Sequence, residues 1–155
     1  MKDAGFTFEV WLKNVEEKYP QELHWENVPE YLSKVKASAF REELKADEVL
    51  ITADTVVCIH DRILGKPADR KEAISMLQEL SGNRHLVVTG VSVTTRTEQL
   101  SFSSRTDVFF KRLSNEEIEF YVDTYKPFDK AGAYGIQEWI GYIGIERIEG
   151  SFYNV

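Results

Sequence analysis

The run VLITADTVVCIH, residues 49–60, is apolar enough for an interior strand, yet it carries Asp54 between Ala53 and Thr55. An ionised carboxylate withdrawn from water without a partner is costly or gives up its charge. A metal ion, a network of donors or a solvated crevice therefore has to meet it. The residues that follow turn back through His60, Asp61 and Arg62 into ILGKP, which predicts a hairpin. With VLITA as a buried central strand, Asp54 falls at its carboxyl end, where α/β sheets bind ligands. A structural alternative stands beside this one: an aspartate at a strand end that caps the next turn.

Upstream, PEYLSKVKASAFREEL sets Tyr31, Leu32, Val35 and Ala39 on one helical stripe, with Asn27 placed as a cap, Pro29 in the first turn and Lys36 beside the stripe. KNVEEKYPQELHWEN reads as surface loop. Before it, FTFEVWL alternates Phe6, Phe8, Val10 and Leu12 with more polar neighbours, which predicts an early strand. Downstream, Asp69 and Glu72 form a capping-box-like start for RKEAISMLQEL, whose buried face is Ala73, Met76, Leu77 and Leu80, with Gly82 suited to a left-handed stop. HLVVTGVSVTT and SFSSRTDVFF read as two more strands. Ser114 and Glu117 make a second capping box, ahead of a helix with Ile118, Tyr121 and Val122 inward. After Pro127, a glycine-rich loop leads into terminal strands. Strands mixed with capped helices predict an α/β layered domain built on a mixed sheet.

The totals exclude several classes. The 155 residues suit one domain over 1–155, and no apolar run approaches the roughly 20 residues that span a bilayer. A membrane is not an expected partner. A net charge of −7 disfavours nucleic acid, whose phosphates call for a basic face. A local group of lysines, or a cation held by carboxylates, can still receive a small anion. The start lacks a secretory apolar core and the one cysteine, Cys58, has no internal partner, so a reducing cytoplasm is expected.

Beyond Asp54, three places carry chemistry. Gly65 and Lys66 of ILGKP combine close backbone approach with a compact charge, although the spacing is not that of a Walker A loop. DKAGAYGIQ, residues 129–137, offers exposed amides suited to oxyanions or a flat base, and Gln137 can donate and accept at once along a nucleobase edge. A plain structural turn would use the same glycines. His24, His60 and His85 lack zinc-ligand spacing, and Cys58 lies in an apolar run where a thiol is inert.

Taken in order, ITADTVV, ILGKP, AISMLQELSGNRHLVVTGV and DKAGAYGIQ, with the closing IEGSFYNV, resemble the Maf family of nucleoside triphosphate pyrophosphatases, or septum formation inhibitor proteins, over nearly the whole chain. The resemblance implies a fold shared with the inosine triphosphate pyrophosphatases: a mixed twisted sheet flanked by helices, in two lobes with a cleft between. It implies hydrolysis of a nucleoside triphosphate to monophosphate and pyrophosphate with a divalent metal cation, Mg²⁺ or Mn²⁺. By motif position, Asp54 matches the proton acceptor and metal-binding carboxylate. Thr55 and Gln137 match the substrate-selecting positions, and Lys36, Lys66, Asp129 and Lys130 match substrate-binding positions. The ADT and GIQ forms resemble the branch acting on dTTP and UTP, and modified pyrimidine nucleotides fall within the same expectation. The family also suggests a homodimer. Its S-x-S-x-R-R strand and loop and its closing Gly-Leu-Pro segment are not among these residues, so the expected domain lacks that phosphate clamp. A noncatalytic nucleotide-binding or septation-regulating module is the alternative that this departure favours.

Overall fold

The computed structural model describes residues 5–155. Strand β1 (Leu50–Ile59) and strand β2 (Arg62–Leu64) form the expected hairpin, with Ile59 paired to Arg62. Between them His60 and Asp61 take φ values of 50° and 59°, the left-handed pair of a two-residue turn whose twist matches its strands. Helix α2 (Arg70–Leu80) then leads to β3 (Arg84–Thr94), β4 (Gln99–Phe110) and, later, β5 (Ile145–Glu149). The sheet order is β2-β1-β3-β4-β5.

The α/β class holds, but among the described residues every strand pairing is antiparallel rather than mixed. The reason lies in α2, which carries the chain from β2 to a strand running the same way. That strand lands on the far side of β1, so the two parallel strands never become neighbours.

Strand β1 runs unbroken through Asp54, which pairs with Gly90 of β3, so the carboxylate sits mid-strand and not at a carboxyl end as the sequence predicts. The ladder to β3 from Leu50 to Cys58 holds the chain extended past it. Nor is VLITA fully buried: Val49 and Ile51 are 59% and 47% exposed. Strand β2 covers only Val57 to Ile59, which leaves the β1 edge at 53–56 without a strand beside it among the described residues. Asp54 lies on that open stretch.

Helix α1 (Val28–Ser38) rests directly on β3, because a Cβ on Gly90 would overlap the backbone of Pro29 and Glu30. Such an approach admits small side chains only. The face turned inward is Val28, Pro29, Leu32, Ser33 and Ala37, which corrects the stripe of Tyr31, Leu32, Val35 and Ala39 in all but Leu32. Burial of its hydroxyls is compensated: Ser33 Oγ lies 2.8 Å from Ser92 Oγ, Ser92 Oγ lies 2.8 Å from Ser101 Oγ, and Thr52 Oγ1 donates to Ser33 O at 2.7 Å. Asn27 is the N-cap residue but its side chain makes no cap bond.

On the opposite face, α2 and α3 (Asn115–Tyr125) pack against Val57, Ile59, Val87, Val108 and Phe110. Their inward sets are the expected ones, and each buried Leu or Ile there contributes about 2 kcal/mol of burial free energy. Asp69 accepts from Glu72 N at 2.8 Å, while Glu72 reaches back one residue further than a standard box, to Ala68 N at 2.7 Å. The Ser114 and Glu117 box is complete.

Two expectations fail. Residues 6–12 form no strand: Phe6 and Leu12 are 63% and 90% exposed, and no backbone bond ties the segment to another among the described residues. Alternation supplies a face but not the neighbouring edge that a strand needs. After Pro127 there is one strand, β5, preceded by a short helix α4 (Trp139–Gly144). Its glycines weaken the helical signal, yet Gly141 is required because a Cβ there would strike Ile136 O. No helix among the described residues is long and apolar enough to cross a membrane.

Candidate active site

A cleft of about 750 Å³ follows the open edge of β1. Glu17 and Lys36 line one wall, Asp54 and Thr55 the floor, and Lys66 with residues from 129–137 the other wall. Every residue singled out from the sequence, Lys36, Asp54, Thr55, Lys66, Asp129, Lys130 and Gln137, borders this one space. The far wall is held by Gly132, whose N–H donates to Gly65 O at 3.0 Å. Its φ of +67° and a Val57 side chain 3.0 Å from where a Cβ would stand both call for glycine.

Asp54 is largely withdrawn from water, its side chain 12% exposed. Lys36 Nζ sits 2.5 Å from its Oδ1 and 2.9 Å from Glu17 Oε1. Burial pushes the Asp54 carboxyl above its ordinary range; the bond to Lys36 and the charge of Lys66 pull it down without cancelling that effect, and Glu17 adds to the rise. For Lys36, burial draws the ammonium down, but its bonds to Asp54 and Glu17 outweigh this and leave it raised. Both groups hold protons more tightly than usual, Asp54 chiefly through burial and Lys36 through the two carboxylates that share its ammonium.

Lys66 is exposed and has no ion-pair partner among the described residues, which leaves its charge available to an anion. Lys130 Nζ lies 2.9 Å from Asp129 Oδ1 and 3.2 Å from Glu138 Oε1. Thr55 Oγ1 lies 2.8 Å from Thr89 Oγ1 on the neighbouring strand, and Gln137 Nε2 donates to Val155 O at 3.1 Å. Asn154 anchors this closing turn, donating from Nδ2 to Val87 O, Ser104 O and Thr106 Oγ1.

Glu17, Thr89, Glu138 and Asn154 escaped the sequence reading. Glu17 lay in a stretch read as surface loop, and the Glu-Glu-Lys run at 16–18 was its one signal. The remaining titratable candidates stand apart. His85 is buried with Nε2 2.7 Å from Tyr134 OH, and burial lowers it to about 3, so it is neutral. Burial pushes the Cys58 thiol up to about 12, as an inert thiol requires. Among the described residues no three His, Cys, Asp or Glu side chains are grouped to hold a metal.

The Maf-like protein family model matches residues 1–155. A dTTP/UTP pyrophosphatase of Bacteroides thetaiotaomicron is 54% identical over 144 residues, covering 93% of this chain and 75% of that protein. A dTTP/UTP pyrophosphatase of Parabacteroides distasonis is 49% identical over 153 residues, covering 99% of this chain and 79% of its own length. One from Porphyromonas gingivalis is 54% identical over 146 residues, with 93% and 73% covered. A match of this extent, on a chain whose motif residues converge on one cleft, makes it a member of the Maf-like protein family.

Proposed function

We propose that this chain hydrolyses nucleoside triphosphates to the nucleoside monophosphate and pyrophosphate, with dTTP and UTP preferred and modified pyrimidine nucleotides also accepted. The observation that carries the reading is the convergence of one buried carboxylate, Asp54, with Lys36, Lys66 and Lys130 on a single cleft. The activity named for relatives at 49% and 54% identity is the same chemistry. The cytoplasm is the compartment that fits its single, buried thiol.

Asp54 takes a proton from water as the water oxygen attacks phosphorus. The bridge between the α and β phosphorus atoms breaks, and its electron pair leaves with the departing phosphate oxygen. Lys66, with Lys36 and Lys130, offsets charge on the bridging and leaving oxygens, which is where most of the barrier lowering in phosphoryl transfer arises. Asp129 pairs with the Lys130 ammonium at the cleft wall. Thr55 and Gln137 read the base, the amide by donating and accepting together.

The donor set fits a divalent cation held in part by the substrate. One carboxylate, Asp54, faces the cleft with Glu17 across Lys36, and Mg²⁺ is ordinarily bound by one or two carboxylates plus phosphate oxygens. When bound, such an ion supplies Lewis-acid stabilisation of charge on the phosphate oxygens.

The test is pyrophosphate release in Mg²⁺ across dTTP, UTP, GTP and ATP. Release is expected to be greatest for dTTP and UTP and to stop on chelation. Saturable nucleotide binding without turnover would replace this reading with a noncatalytic binding module.

A further inference from the structure

We propose that Glu138 is a positioning residue for Lys130, fastening its ammonium in the cleft beside Gln137 through an anchor on the buried hydroxyl of Tyr121. The proposal rests on the triphosphate reading of the cleft given above.

Glu138 is the N-cap residue of α4, yet its carboxylate makes no cap bond. That carboxylate is used elsewhere. Its Oε2 accepts a short hydrogen bond from Tyr121 OH, and its Oε1 lies 3.2 Å from Lys130 Nζ. Tyr121 belongs to α3, is fully buried, and accepts from Gly135 N at 3.3 Å. Core, carboxylate and ammonium are thus joined in one line. Gly135 clears the path of the lysine, since a Cβ there would stand 3.3 Å from Lys130 Cε and 3.6 Å from Gln137 Oε1.

Asp129 also touches the ammonium, at 2.9 Å, but its side chain is 77% exposed whereas that of Glu138 is 23% exposed and held from behind by Tyr121. An exposed neighbour in sequence can follow the lysine wherever it swings; an anchored acid cannot. Glu138 therefore determines where Lys130 waits. Asp129 and then Glu138 together raise the Lys130 ammonium above its ordinary value against the effect of burial. Ordering this long side chain beforehand removes an entropic cost from nucleotide binding.

Glu138→Gln keeps the volume and an acceptor for Tyr121 while removing the charge. It is expected to raise KM for dTTP on the order of tenfold, the scale of one charge-assisted hydrogen bond, with much less effect on kcat. In a Lys130→Met background the same substitution is expected to change KM no further. A purely structural role would cost the same in both backgrounds and would overturn the proposal, as would an unchanged KM in the single variant. The cycle is run in parallel on calorimetric binding of a nonhydrolysable α,β-methylene analogue of dTTP. A parent chain that binds the analogue without hydrolysing dTTP defeats the pyrophosphatase reading and leaves the binding cycle to judge Glu138. A parent that binds no triphosphate overturns both. Independently of any nucleotide, the Lys130 ammonium followed by NMR is expected to titrate at lower pH in Glu138→Gln, and an unmoved titration overturns the proposal.

Discussion

Lys36 Nζ lies 2.5 Å from Asp54 Oδ1, joining the helix that rests on Gly90 to the strand that runs past the cleft. The pair is shared with Glu17, at 2.9 Å from the same ammonium. One cation between two acids cannot neutralise both.

Asp54→Asn is expected to lower kcat for pyrophosphate release by roughly 10²- to 10⁴-fold, the scale of losing a general base, with the fold intact by circular dichroism. Unchanged turnover would remove Asp54 from the mechanism.

The raised Asp54 carboxyl has a signed effect on stability. Because the folded chain holds this proton more tightly than the unfolded chain, the associated stabilisation is complete below 3.8, the ordinary aspartate value, and is lost as pH climbs through the higher folded value. Asp54→Asn cannot lose it. Its Tm relative to the parent is therefore expected to improve between pH 3 and pH 7; a constant difference across that range counts against a raised Asp54. In catalysis, the acid limb of kcat/KM is expected above the ordinary aspartate value. It should move higher still in Lys36→Met, which removes the strongest influence pulling Asp54 down.

Gln137→Ala is expected to change the ratio of kcat/KM between dTTP and GTP by about 5- to 10-fold, the value of one hydrogen bond to the base, with a smaller change in the summed rate. Thr55→Val is expected to act in the same sense while also breaking the link to Thr89. Steady-state kinetics on dTTP, UTP and GTP decides, and preserved ratios would take both residues out of base selection.

Gly90→Ala drives a methyl into the backbone of Pro29 and Glu30, where no side chain can rotate away. A loss of about 3 kcal/mol or more is expected in urea unfolding, at the upper end for overpacking. Activity should fall with it, since lifting α1 carries Lys36 away from Asp54.

Helices α2 and α3 were legible because their signals are local. Asp69 and Ser114 meet backbone N–H groups within one turn, and Ala73, Met76, Leu77 and Leu80 repeat at helical spacing without help from the rest of the chain. The residues of the cleft were legible as motif types, although nothing in their spacing alone showed that Lys66 and Gln137 would share a space with Asp54.

The chain order of residues settled the caps at Asp69 and Ser114 and the turn at His60 and Asp61, since each depends on neighbours a few bonds apart. Packing settled the rest. Which face of α1 turns inward depends on a glycine in β3, whether residues 6–12 pair depends on an available edge, and the partners of Asp54 and Lys130 depend on loops brought together across the sheet. Such contacts form only when buried surface draws distant segments into register, so a carboxylate that looks misplaced within its strand comes to line a cleft where the neighbouring strand stops short of it.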